Sequence, residues 1–301
     1  MKSRSEILAS DSLLLLTAAI WGFAFVAQRA GMDNLGPFAF NAIRYAMGAL
    51  VLLPLAAARR KRAAAEPSGP RPIARPVAKY LPHILAGTAM FVGASFQQVG
   101  IVTTTAGNAA FVTSLYVVLV PLFAGFFGRK ARPKDFAAAL VSVAGLYIIT
   151  VGGGFSIAPG DLLVLAGSLF WAVHILVIGR FASTVDPVEL SAGQFAVCGF
   201  YSLLGAFVFE PQPFAGTLDA AIPLLYGGIM SCGVAFTLQI VAQRKAPPSH
   251  ASILLAMEGL FGAIGGVLLL GEPATLRLFS GGGLMLAAAI LSQLEPRQRK
   301  A

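Results

Sequence analysis

Ten apolar segments of membrane-spanning length follow one another along this chain and restrict what it can fold into. A helix that crosses a bilayer needs about 20 mostly apolar residues, because each residue advances it by only about 1.5 Å. Charged residues make up 12% of the 301 positions, whereas a soluble domain has about 25%. No segment alternates like a barrel strand, so we predict an all-α integral membrane protein with ten transmembrane helices. The predicted spans are 12–31, 37–57, 80–101, 105–128, 134–151, 161–181, 188–209, 219–242, 249–270 and 275–294.

The basic residues lie on one side of this topology. If the N-terminus is cytoplasmic, 19 of the 22 Lys and Arg residues fall in inner segments, with Arg29 and Arg277 in outer loops and Arg44 inside a span. This positive-inside bias predicts cytoplasmic N- and C-termini. It also accounts for the net charge of +9 without a nucleic-acid partner. We interpret the RRKR run at 59–62 as an anchor near anionic lipid headgroups.

The second half of the chain repeats the first. Residues 11–37 match residues 161–187 at an offset of 150, and later positions match at an offset of 142. Each repeat, 11–152 and 161–295, contains five spans, so the second must enter the membrane from the opposite side. We therefore predict one membrane domain, 1–301, built as two inverted five-helix repeats around a central cavity. The paired positions are Asp11/Asp161, Trp21/Trp171, Pro37/Pro187, Gln97/Gln239, Asn108/His250 and Tyr116/Glu258.

Four stretches carry a resemblance to a known family. Over nearly its whole length the chain resembles the EamA type of the drug/metabolite transporter superfamily, and within it the bacterial amino-acid exporters. The resemblance implies efflux of small organic solutes across a bacterial inner membrane. The stretches are IWGFAFVAQRAG (20–31), NAIRYAMGALVLLP (41–54), NAAFVTSLYVVLVPLF (108–123) and ASILLAMEGLFGAIGGVLLLGE (251–272).

Two charged residues lie inside predicted spans. Arg44 shares a helical face with Asn41 and Tyr45, and a charge near a helix centre costs about 2.5–3.5 kcal/mol on insertion scales. Arg44 either attracts a substrate carboxylate or has a structural partner. Glu258 lies deep in the ninth span, where it either pairs with an ammonium group or a proton, or forms hydrogen bonds between helices.

Aromatic residues occupy the middle of the two repeat-related helices. Trp21, Phe25 and Gln28 share one face of the first span, and Trp171 shares a face with His174 in the sixth. These faces either oppose each other across a cavity that holds an apolar or cationic group, or pack between helices. His174 either couples transport to protons or forms an ordinary buried hydrogen bond.

Other polar and conformational features complete the candidate site. Gln97, Gln239 and Tyr116 are predicted to line the cavity or to join helices. Pro121 predicts a kink or hinge in the fourth span. The GxxxG pattern of Gly262 and Gly266 indicates packing within the chain, with dimerisation as the alternative, so we expect a monomer.

Taken together, these features favour a carrier over other membrane proteins. The sequence has no His/Asp/Glu cluster, no Ser/His/Asp set and no metal spacing around Cys198 and Cys232. We therefore predict no cofactor, no metal and no enzymatic activity. The substrate that satisfies Arg44, Glu258 and the indoles together is a neutral amino acid, aromatic or other, exported by alternating access. The alternatives are efflux of cationic compounds and, less well supported, a membrane-embedded enzyme or a channel. Transport is either uniport or coupled to protons.

Overall fold

The computed structural model describes residues 4–65, 76–128, 131–150, 158–270 and 274–293. Within these ranges every regular element is helical, and the helices follow one another as ten segments. Some features used in the topology prediction lie outside the described residues. They are the basic residues Lys2, Arg71, Arg75, Arg129, Lys130, Arg297, Arg299 and Lys300, and most of the two loops that follow the fifth and ninth predicted spans. The segments are α1 (Arg4–Gly31), α2 (Pro37–Ala65), α3 (Pro76–Ile101), α4 (Ala106–Ser114, Tyr116–Phe123 and Ala124–Phe127), α5 (Pro133–Thr150), α6 (Pro159–Phe181), α7 (Pro187–Phe209), α8 (Ala221–Leu225, Tyr226–Phe236 and Thr237–Gln243), α9 (Pro248–Leu255 and Glu258–Leu270) and α10 (Leu276–Gln293).

The lengths of the segments confirm the predicted membrane architecture. Eight of the described segments are long and apolar enough to cross a bilayer. The remaining two, α5 and α10, are each 18 residues long, and they pack against each other. Several segments begin with proline, including α2 at Pro37 and its repeat partner α7 at Pro187. Proline suits this first position because the N–H that it lacks has no partner inside the helix.

Contacts between helices follow the inverted repeat. Two helices pack against their own repeat partners, α2 against α7 and α5 against α10. The contact of α3 with α6 corresponds to the contact of α8 with α1. Likewise α4 packs on α6, as α9 packs on α1. Each of these contacts in one half therefore has a partner in the other, as expected of two inverted five-helix repeats.

Small residues bring helices of different repeats together. A Cβ on Gly160 of α6 would lie 2.2 Å from the carbonyl oxygen of Gly100 on α3, and one on Gly22 of α1 would lie 2.6 Å from the backbone nitrogen of Gly262 on α9. Neither site has room for a side chain, so both contacts require glycine. Gly262 therefore packs within the chain, as the GxxxG pattern predicted.

Two helices are interrupted at repeat-related positions. In α4 the interruption is at Leu115, and in α9 it is at Ala256 and Met257. Hydrogen bonds tighten to three-residue spacing there, from Leu115 N to Val112 O and from Met257 N to Leu254 O. The α-helix continues through Pro121 as far as Phe123, and a 3-10 helix follows from Ala124 to Phe127. The residues that follow the two breaks are Tyr116 and Glu258, and a discontinuous helix places such residues near the midplane.

Carboxylates join α2 and α7 at both ends. Glu210, after the end of α7, accepts hydrogen bonds from the backbone N–H groups of Phe38 (2.7 Å) and Ala39 (3.0 Å) in the first turn of α2. At the other end, Asp186 caps α7 through the N–H of Val188 and accepts from Arg59 of α2 at 3.1 Å. These caps satisfy free N–H groups at helix N-termini.

The cap at Glu210 predicts a pH dependence of stability. Burial raises the pKa of the Glu210 carboxyl from its ordinary value of 4.5, and the two backbone hydrogen bonds oppose that rise only in part. A raised native pKa means that the folded protein holds the proton more tightly, so stability falls as pH rises through that range. As the pH is raised from about 4 to about 7, we expect the melting temperature of the wild-type protein to fall relative to that of Glu210→Gln. Melting curves of both proteins in detergent measure this, and parallel curves would contradict it.

Candidate functional site

A central cavity lies between the two repeats. Seven of the ten helical segments contribute to its lining. Eleven of the twelve predicted site residues line it. The lining residues are Trp21, Phe25 and Gln28 from α1; Arg44 and Tyr45 from α2; Gln97 from α3; Thr113 and Tyr116 from α4; Trp171, His174 and Ile175 from α6; Ser231, Phe236 and Gln239 from α8; and Glu258 from α9.

The guanidinium of Arg44 forms hydrogen bonds with two residues of its own helix. Its Nε donates to Asn41 Oδ1 at 2.9 Å, and its Nη2 donates to the hydroxyl of Tyr45 at 3.0 Å. The Tyr45 ring lies under the guanidinium, 4.5 Å from Cζ to the ring centroid. Within the described residues, Nη1 has no hydrogen-bond partner and no carboxylate pairs with Arg44. A buried cation without a counter-ion is suited to binding an anionic group.

Asn41 does not line the cavity. It is fully buried behind Arg44 and donates from Nδ2 to the carbonyl of Ala94 on α3 at 3.2 Å. It therefore fixes the orientation of Arg44 against the neighbouring helix, while its predicted lining role is taken by Arg44 and Tyr45.

The two repeated tryptophans flank a third aromatic residue. Phe236 of α8 lies 4.5 Å from Trp21 and 6.0 Å from Trp171, measured between ring centroids, and it stacks on Trp171 at 26°. His174 meets Phe236 edge-on. The predicted indole walls are therefore joined by Phe236, which the sequence analysis missed because its repeat partner, Ala94, is not aromatic.

Two repeat-related glutamines differ in their hydrogen bonding. Gln97 is satisfied, because Oε1 accepts from the Trp171 indole at 2.8 Å and Nε2 donates to Gln28 Oε1 at 2.9 Å. Gln239 donates to Gln243 at 3.0 Å, but its buried Oε1 has no partner among the described residues. An unpaired buried acceptor costs about 1–3 kcal/mol, which a donor on a bound molecule would offset.

Glu258 supplies a buried carboxyl beside two hydroxyl groups and no cation. It is 3% exposed, and Ser114 Oγ lies 3.5 Å away while also contacting Ala110 O at 2.8 Å. The Tyr116 hydroxyl is its other hydroxyl neighbour, although the geometry of that contact is poorer than that of a regular hydrogen bond. No Lys or Arg of the described residues forms an ion pair with Glu258. Glu258 and Gln239 therefore offer acceptor oxygens to a bound cationic group.

His174 has a hydrogen-bond partner on the neighbouring helix. Its Nε2 lies 2.9 Å from Oε1 of Gln194 on α7, and the ring is 1% exposed. Gln194 occupies the position in the second repeat that Arg44 occupies in the first. Among the residues that line the cavity, the permanent cation therefore lies on the first-repeat side, and a neutral amide stands at the matching place.

The sequence of each repeat matches a known transporter family. The model of the EamA-like transporter family matches residues 8–151 and again residues 158–294. The chain belongs to this family. The membership confirms the predicted resemblance to the EamA type of the drug/metabolite transporter superfamily, and it makes the chain a multi-pass membrane transporter.

Known relatives are similar in sequence over most of the length of the transporter. An uncharacterised transporter of Archaeoglobus fulgidus is 31% identical over 290 residues, covering 95% of this chain and 86% of the relative. The threonine/homoserine exporter RhtA of Escherichia coli K12 is 26% identical over 298 residues, covering 95% of this chain and 91% of RhtA. A known crystal structure superposes with a TM-score of 0.77 at 22% identity, covering 99% of this transporter and all of that chain. This likeness supports the ten-helix fold.

Proposed function

We propose that this transporter exports neutral amino acids from the cytoplasm by alternating access. The observation that carries the proposal is the separation of opposite binding groups in one aromatic cavity: an unpaired guanidinium nitrogen on Arg44, and acceptors without strong partners on Glu258 and Gln239. A zwitterion presents an anion and a cation together, so one molecule can satisfy both ends.

The amino acid would bind with its two charged groups at different helices. The α-carboxylate would accept from Arg44 Nη1, and the α-ammonium would donate to Glu258 and to Gln239 Oε1. The side chain would lie against Trp21, Phe236 or their neighbours, since an aromatic wall holds apolar groups and tolerates different shapes. The similarity to RhtA, a threonine/homoserine exporter, supports a substrate of this class.

The predicted topology and the inverted repeats support alternating access across the inner membrane. The positive-inside bias supports an inner-membrane protein with both termini in the cytoplasm, and the two inverted repeats supply a pseudo-two-fold axis for alternating access. No second chain is needed to complete the cavity, which supports a functional monomer.

Counterflow in proteoliposomes tests the substrate class. Liposomes that contain purified transporter and are preloaded with unlabelled threonine should accumulate labelled threonine, homoserine and phenylalanine saturably. Amino-acid amides lack the carboxylate and N-acetyl amino acids lack the ammonium, so we expect both to compete at least about tenfold more weakly, from the loss of one charged hydrogen bond. Empty liposomes are the control.

Two other outcomes would contradict amino-acid export. If a cationic dye such as ethidium is transported and amino acids do not inhibit its transport, the protein is a carrier of cationic compounds. Glu258 and the indoles would then form its site. Unsaturable flux would identify a pore. Repeating the measurement with an imposed proton gradient decides between uniport and proton coupling.

A further inference from the structure

Two mouths at opposite ends of the transporter are built from repeat-related residues. The outer mouth, named after the predicted topology, is lined by residues 103–105 and Asn108 at the start of α4. The inner mouth is lined by residues 245–247 and His250 at the start of α9. These positions correspond at the offset of 142. The two mouths are therefore the same surface, presented once by each repeat to opposite sides of the membrane.

The two mouths differ in size and in access to the central cavity. The outer mouth is the larger and shares Phe25 with the central cavity. The inner mouth is smaller and, among the described residues, shares no lining residue with that cavity. Phe25 is thus the boundary between the cavity and the outer mouth, and the closed path is the one on the inner side.

A buried Asp–His contact crosses the inner mouth. His250 Nε2 lies 2.7 Å from Asp11 Oδ1 on α1, and His250 Nδ1 lies 2.8 Å from Ser292 Oγ on α10. Both ring nitrogens therefore have hydrogen-bond partners, and the imidazole of α9 is held between α1 and α10.

Other charged groups surround this pair without replacing it. Lys134 of α5 donates to the carbonyl of Ser292 at 2.8 Å. Lys245 pairs with Glu6, and Arg132 pairs with Asp135. The Asp11–His250 contact joins α1 to α9 itself, beside the Lys245–Glu6 pair that joins α1 to the loop before α9.

The equivalent residues at the outer mouth are apart. Asp161, the partner of Asp11, accepts hydrogen bonds from the Thr104 hydroxyl and from Ala158 N. Asn108, the partner of His250, lines the open outer mouth, and within the described residues its side chain forms no hydrogen bond with Asp161. The same pair of positions is joined in the closed mouth and separated in the open one.

We propose that Asp11 and His250 form the latch of the inner mouth, and that opening this mouth is coupled to closure of Asn108 onto Asp161. Inverted repeats exchange conformations during alternating access, so each mouth adopts the arrangement that the other now has. In the described structure the Asp11–His250 contact is formed and the Asp161–Asn108 contact is not, so the inner mouth is the closed one. The inference rests on alternating access, which is part of the proposed function, and is independent of the substrate.

Cysteine labelling in nanodiscs tests the latch without substrate. The background replaces Cys198 and Cys232, which are both buried, with alanine. The inner reporter is the thiol introduced by Ala246→Cys in the inner mouth, where Ala246 is 6% exposed. The outer reporter is the thiol introduced by Gly107→Cys beside the outer mouth, where a Cβ meets no atom within 4 Å. The rate of maleimide labelling at each reporter measures how open its mouth is.

His250→Asn gives the inner mouth the residue found in the outer one. We expect it to raise the labelling rate of the inner reporter by about tenfold and to lower that of the outer reporter, as a shifted two-state equilibrium requires. Asp11→Asn should shift both rates in the same directions. Unchanged labelling of the inner reporter would overturn the latch, and faster labelling of both reporters would overturn it in favour of local unfolding.

Asn108→His is the matched variant in the outer mouth. It places an imidazole opposite Asp161 and should slow labelling of the outer reporter while raising that of the inner reporter. Unchanged labelling of both reporters in this variant would overturn the coupling between the mouths. Because no amino acid is present, these results stand apart from the counterflow test of the proposed substrate.

Discussion

Replacing Arg44 by glutamine is expected to raise the half-saturating concentration for amino-acid counterflow by about 10- to 100-fold, the effect of losing a hydrogen bond to a charged group. Two nitrogens of the guanidinium are fixed by Asn41 and Tyr45, and Nη1 has no partner within the described chain. In the proposed complex the substrate carboxylate accepts a hydrogen bond from that nitrogen. Counterflow of labelled threonine at increasing concentration measures the effect.

Two variants separate recognition from structure at this position. Arg44→Lys keeps the charge but loses the planar fork, so we expect an intermediate defect. Asn41→Ala leaves Arg44 in place but removes its tether to Ala94, and should weaken transport less than Arg44→Gln. A lowered melting temperature of Arg44→Gln with an unchanged half-saturating concentration would show that Arg44 is a structural residue and would contradict the proposal.

Much of the fold could be predicted because a bilayer leaves few choices. A backbone in hydrocarbon must satisfy its own hydrogen bonds, so long apolar segments become helices. The odd number of spans in each repeat then fixes the inversion. The tryptophan at position 21 recurs at position 171, and in the structure both indoles line the same cavity.

The missed features have local causes that the sequence hides. The breaks at Leu115 and at Ala256–Met257 contain no proline or glycine, whereas Pro121, the visible signal, lies in a continuous helix. In α8, Tyr226–Phe236 forms a π-helix, which shifts the faces expected from a 3.6-residue period. Phe236 and Ser231 reach the cavity through this segment, so regular helical spacing did not place them there.

The inner latch shows the same limit of sequence reasoning. The repeat alignment paired Asn108 with His250 and Asp11 with Asp161, but it did not bring Asp11 and His250 into contact. In the proposed alternating access the contact depends on which mouth is closed, and repeat alignment does not specify which of the two proposed conformations is populated.

Replacing Glu258 by glutamine is expected to impair transport in a way that depends on the charge of the substrate. The carboxyl is 3% exposed, its neighbours are the hydroxyl groups of Ser114 and Tyr116, and no cation of the described residues pairs with it, so its oxygens are available to a substrate ammonium. For threonine we expect counterflow at low concentration to fall by about tenfold or more. Glu210→Gln is the control, because it makes the same chemical change outside the cavity and should leave transport unaltered.

Combining this variant with Arg44→Gln distinguishes the classes of substrate. A zwitterion needs both charged residues, so each single variant should impair it. A cation needs Glu258 alone and is repelled by Arg44, so Arg44→Gln should improve its transport while Glu258→Gln abolishes it. If Glu258→Gln leaves threonine counterflow unchanged while Arg44→Gln impairs it, the ammonium is not bound at Glu258. The Gln239 Oε1 atom is then the remaining acceptor, and Gln239→Leu should produce the loss expected of Glu258→Gln.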